Sequence, residues 1–111
     1  MANCDVEVDL YFLRADDNGR STPAFSGYRP QFYFAYEHLA VEFRFPDSTS
    51  VEPGQQTRAE VRFGSPSYVA GRLSIGSPFL VREGARIVAY GAVTRLVDLP
   101  TAAIPENEIS N

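Results

Sequence analysis

Near the start of the chain, polar and apolar residues change places at every step. Cys4, Val6, Val8, Leu10 and Phe12 fall on one side, and Asp5, Glu7, Asp9 and Tyr11 on the other. A period of two puts each set on one face of extended backbone, so residues 4–13 read as a half-buried β-strand. The alternation returns twice. Leu39, Val41, Phe43 and Phe45 alternate with Glu42 and Arg44, and Thr57, Ala59, Val61 and Phe63 alternate with Arg58, Glu60 and Arg62. Residues 31–36 are short, aromatic and strand-like, and residues 87–97 supply a last apolar strand. Residues 72–82 hold one or two further strands, interrupted at Gly76-Ser77-Pro78.

Turn chemistry separates these segments. Asp16-Asp17-Asn18-Gly19, Pro46-Asp47-Ser48, Pro53-Gly54 and Gly64-Ser65-Pro66 are breaker clusters, and Glu83-Gly84-Ala85 reads as a hairpin tip. No window sustains a helical period. Six or seven short strands with regular turns imply an all-β sandwich or barrel. A closed antiparallel barrel is the economical form, because closure leaves no unpaired edge. Residues 1–99 are assigned to this domain, and residues 100–111, with two prolines and little core material, to a flexible tail.

The length of 111 residues supports one domain, and a hydrophobic fraction of 44% is enough to fill one core. No apolar run is long enough for a transmembrane helix, and Met-Ala-Asn-Cys-Asp does not read as a signal peptide. Cys4 is alone, so neither an intrachain disulfide nor a cysteine metal cluster can form. A cytoplasmic location is the expectation. Net charge is −4, but six of the fourteen acids sit at Asp5, Glu7, Asp9, Asp98, Glu106 and Glu108. Residues 10–97 thus set ten arginines against eight acids, a mild surplus far from the basic stripe of a dedicated nucleic-acid binder. There is no lysine. The phosphate-binding loop ending in Gly-Lys-Ser/Thr therefore cannot be written here, and GTP binding by these residues is not expected.

Four pieces, in order, carry a family resemblance. Gly19-Arg20-Ser21-Thr22-Pro23 resembles Gly-Arg-His-Thr-Pro in the third, C-terminal domain of elongation factor Tu. Residues 27–34, Gly-Tyr-Arg-Pro-Gln-Phe-Tyr-Phe, match that domain without a change. Pro53-Gly54-Gln55 is similar to its Pro-Gly-Asp turn, and Arg82-Glu83-Gly84-Ala85-Arg86 to its Arg-Glu-Gly-Gly-Arg. The resemblance spans residues 6–97. It implies a closed six-stranded antiparallel β-barrel, in agreement with the strand count, and a freestanding copy of that domain without its two neighbouring domains. Departures lie at residues 35–40, where the wording differs, and around residues 65–76, where the chain is longer than in the family. Ala85 replaces a glycine that in the family lies near the T-stem backbone of aminoacyl-tRNA.

The resemblance places Gln31 near the contact with the family's nucleotide-binding domain. An outward face without its intramolecular partner implies a protein-binding surface or self-association. Tyr28, Arg29, Gln31 and Tyr33 are the candidate partner-binding residues, for a protein linked to translation. The second reading is a tRNA- or RNA-binding module that uses Arg82, Gly84 and Arg86 on the hairpin facing tRNA in the family. A small-molecule barrel ranks third. His38, the one histidine, reads as a solvated loop residue, and Cys4 as a small buried residue. No catalytic set, metal-ligand spacing or cofactor motif stands out, so a non-catalytic protein is expected.

Overall fold

A computed structural model describes residues 4–99. Eight strands run in chain order: β1 (Val6–Phe12), β2 (Ala24–Phe25), β3 (Gln31–Phe34), β4 (Glu37–Arg44), β5 (Ser50–Val51), β6 (Gln56–Phe63), β7 (Pro78–Glu83) and β8 (Arg86–Leu96). Six of them close an antiparallel barrel in the order β1-β6-β4-β3-β7-β8, and β2 pairs with β5 in a separate two-stranded sheet. The closed six-stranded antiparallel barrel expected from the sequence is the fold observed. No helix is long and apolar enough to cross a membrane among the described residues.

The alternation works as the pattern requires. Val6, Val8, Leu10 and Phe12 of β1 all point into the lumen, as do Ala59, Val61 and Phe63 of β6. Cys4 is buried beside them. Aromatic rings fill the centre. Phe32 stacks on Phe79 with centroids 4.3 Å apart and meets Phe63 edge-on at 5.1 Å. No polar or charged residue is buried among the described residues, so the chemistry available to a partner lies on the outer face.

That outer face is laced with charge. Across β4, β6, β1 and β8 the register sets Arg44 against Glu60, Glu60 against Glu7, and Glu7 against Arg95. The two glutamates would repel, but Arg95 and Arg58 approach Glu7 at 3.0 and 3.5 Å.

Several local expectations change. Residues 35 and 36, assigned by pattern to the second strand, form its turn: Ala35 and Tyr36 both have positive φ, 52° and 67°. A two-residue connection with both φ positive matches the twist of its flanking strands, which is why the hairpin adopts it despite the two side chains. β4 consequently begins at Glu37, and His38 lies on a strand paired with Tyr33, not in a loop. Residues 72–77 form no strand, leaving one strand rather than two before residue 83. The helical turn α1 (Pro66–Val69) was not legible, since four residues are too few to show a period. Pro66 starts it, Ala70 donates to the Pro66 carbonyl at 3.1 Å, and buried Val69 and Leu73 anchor it. The proposed tail, residues 100–111, lies outside the described residues.

Two substitutions test this packing. Phe32→Ala is expected to cost about 3–5 kcal/mol, measured by denaturant unfolding, because its neighbours cannot close over the space. The pair Ala35→Asn and Tyr36→Gly is expected to raise stability by about 1 kcal/mol, by relieving left-handed backbone at two non-glycine residues. Tyr36 is 92% exposed, so little packing is lost with it.

Candidate interaction surface

Three of the sequence pieces that carry the resemblance meet at one polar cluster. Arg20 comes from the loop after β1, Tyr28 from the approach to β3, and Glu83 from the end of β7. The Arg20 guanidinium pairs with Glu83, lies 4.8 Å from the centre of the Tyr28 ring, and donates to the carbonyls of Thr22 and Pro23 at 3.2 and 3.1 Å. The Tyr28 hydroxyl also donates to Glu83. Arg86 approaches the other carboxylate oxygen at 3.8 Å and reaches the Gly19 carbonyl at 3.4 Å. Tyr28 is thereby turned toward the barrel, with its ring 6.0 Å from Phe12 and 6.2 Å from Phe43. Burial, reinforced by the hydrogen bond to Glu83, pushes its phenol well above the usual range.

A second cluster sits on the outer face of β3, β4 and β7. Gln31 pairs in register with Ala40 on one side and Arg82 on the other, and Tyr33 pairs with His38. The Arg82 guanidinium lies 5.3 Å from the Tyr33 ring centre, and the Tyr33 and His38 rings are 4.9 Å apart. Arg82 Nη1 contacts His38 Nε2 at 3.1 Å, and since arginine only donates, Nε2 is the acceptor. Nη2 donates to the Ala85 carbonyl at 3.2 Å, whereas the buried Nε has no partner among the described residues. A residue assigned to protein contact and one assigned to RNA contact are thus parts of one stack.

Arg29 and Gln31 are exposed, and Arg29 approaches Glu42 at 3.6 Å. Gly84 sits at the β7–β8 turn with φ of 62°, beside Ala85. Of the sequence-selected residues, Arg29, Gln31, Tyr33 and Arg82 share a face, Gly84 and Arg86 stand at the adjoining hairpin, and Tyr28 braces the barrel from within. Arg20 and Glu83, which hold that hairpin to the loop after β1, were quoted in the matching pieces but not selected. Pairing across 63 residues leaves no local signal.

His38 is engaged by Arg82 and by the Tyr33 ring. Sequence spacing gave no metal-ligand set, yet ligand atoms of Cys4, Glu7 and Glu60 lie within 4.8 Å of one another. The strands create that cluster, but Glu7 already receives Arg58 and Arg95. Burial, then the nearby glutamates Glu60 and Glu7, pushes the Cys4 thiol up, away from the thiolate that binds metal.

The sequence model described as "Elongation factor Tu C-terminal domain" matches residues 2–97.

The brace predicts a pH signature. The folded Tyr28 phenol titrates above its ordinary value of 10.0, so its contribution to stability is full below that value and is lost as pH rises through the folded value. No lysine titrates in the same window. Tyr28→Phe is expected to lower stability at neutral pH by about 1.5–3 kcal/mol, the range for a hydrogen bond to a charged group. Its unfolding free energy should then fall less steeply than wild type between pH ~9 and ~11, read from denaturant midpoints.

Proposed function

Since this chain belongs to the elongation factor Tu C-terminal domain family, a translation-related group whose domain is a non-catalytic β-barrel, we propose that it is a non-catalytic module that binds a protein partner linked to translation. The observation that carries the reading is the outward face of β3. Arg29 and Gln31 project to solvent, and Tyr33 stands between Arg82 and His38 in a stack already ordered before any partner arrives. Ordered side chains lose less freedom on binding, which favours affinity per contact. Within the closed barrel each strand, β3 included, is paired on both sides, so a partner at this face would read side chains and not add a strand. No nucleotide or other cofactor is required in this reading.

The second reading, RNA held through Arg82, Gly84 and Arg86, has the exposed hairpin in its favour. Against it, Arg86 is tied to Glu83 and Gly19, Arg82 to His38 and Ala85, and the net charge is −4. Phosphates would have to compete with contacts already made. The protein reading is therefore preferred.

Capture from lysate separates the two. The immobilised chain is expected to retain components of the translation apparatus, and Arg29→Glu or Gln31→Arg is expected to release them. An identical captured set with both variants would sink the protein reading. Titration with tRNA at low salt is expected to show no saturable binding. Saturable binding whose salt slope falls by about one on losing Arg82 or Arg86 would install the RNA reading instead.

A further inference from the structure

We propose that the outer face of β4 is a docking groove for an extended acidic segment of the partner, with one apolar side chain of that segment seated against α1. The inference rests on the protein-binding reading and specifies its ligand. Three adjoining hollows meet at Ala40. One is flanked by Arg29 and Arg62, the next by Gln31 and His38, and the third lies between Leu39 and the Tyr68–Val69 end of α1. The floor is low because two small residues lie side by side. Gly64 donates its backbone N–H to the Ala40 carbonyl at 2.8 Å, and a Cβ on Gly64 would stand 3.3 Å from that of Ala40.

The far wall is held firmly. Tyr68 donates its hydroxyl to Glu37 at 2.6 Å, Arg72 reaches the same carboxylate at 3.3 Å, and the Arg72 guanidinium covers the Tyr68 ring at 4.8 Å. The reworded residues 35–40 and the longer stretch at residues 65–76 are thus clasped together. The third hollow is built from these two regions together with Phe63 of β6.

Charge selects the occupant. Arg29 and Arg62 stand at one end, whereas Arg82, held to His38 and the Ala85 carbonyl, lines none of the three hollows. Arg62 has no carboxylate within ion-pair distance among the described residues, so its guanidinium is available for bidentate contact. Glu42 is the one acid lining the hollows, and Arg29 faces it. An acidic segment therefore gains charge at the Arg29–Arg62 end and apolar contact beside half-buried Leu39 and exposed Tyr68 at the other. The stretch of β4 from His38 to Glu42 spans roughly 14 Å at about 3.4 Å per residue, room for about five residues of extended peptide. Single-stranded nucleic acid fits less well, because it needs open aromatic faces. Tyr33 already has Arg82 and His38 against its ring, and Tyr68 has Arg72 over its own.

Fluorescence anisotropy on the whole chain tests the groove. The probes are a labelled hexapeptide alternating Asp/Glu with Leu/Phe, its counterpart with Lys at the acidic positions, and a uridine hexamer. The acidic peptide is expected to saturate and the other two are not. Arg62→Gln should weaken it by roughly threefold to tenfold, and Ala40→Trp, which fills the exposed floor, by more than about tenfold. Arg44→Gln, outside the groove, should leave binding unchanged. Failure of the acidic peptide to saturate, equal binding of the Lys peptide, tighter binding of the uridine hexamer, or undiminished binding by Ala40→Trp would each overturn the proposal. If circular dichroism shows Ala40→Trp unfolded, Arg62→Gln decides alone. Lysate capture that survives Ala40→Trp while peptide binding is lost would remove the groove and leave the protein-binding reading standing. Selective, saturable binding of the acidic peptide together with a captured set unchanged by Arg29→Glu and Gln31→Arg would do the reverse.

Discussion

Six short strands close on themselves only when the side chains pointing inward fill the lumen, and here a small aromatic stack does that filling. Phe32 lies flat on Phe79 and meets the edge of Phe63, which joins β3, β7 and β6 through one contact. The seam between β8 and β1 is equally constrained. A Cβ at Gly91 would come within 2.1 Å of the Asp9 carbonyl and 2.8 Å of the Phe79 ring, so only glycine lets the strands approach there. With the interior fixed in register, the exterior follows. Phe32 points in, so Gln31 and Tyr33 must point out, and a slip of one residue would exchange the core with the outer face.

The long strands were legible because burying one face forces a period of two, and β1 and β6 read straight from their alternation. What stayed hidden lacked length or followed from pairing. Ala35 and Tyr36 are not residues that announce a turn, and only the geometry of closing β3 onto β4 sets their φ positive. The β2–β5 ribbon joins two residues from each side across 27 positions, and nothing local foretells that Ala24 will face Val51. The helical turn at Pro66–Val69 shows one signal, the proline itself, which the sequence reading took only as the end of a strand.

The surface divides in a similar way. That the segment of residues 27–34 would supply exposed polar positions was readable, because alternation about Phe32 demands it. That Tyr28 would turn inward was not, because its partners are Arg20 and Glu83, far along the chain. The most sequence-typical pieces prove to be braces. The Arg20–Glu83 pair ties the first loop to the last hairpin, so the wording that marks the fold also holds its open end together.

β1 pairs only with β6 and β8, and this shapes how the molecule comes into being. A nascent chain emits β1 first, yet residues 56–63 and 86–96 must be synthesised before it finds either neighbour. At about 5–20 residues per second, the apolar stripe of Val6, Val8, Leu10 and Phe12 waits a few seconds with no complementary surface. Such long-range pairing also slows folding. The acids Asp5, Glu7 and Asp9 on the opposite face then act before any barrel exists, keeping one ribosome's unfinished strand from zipping onto another's.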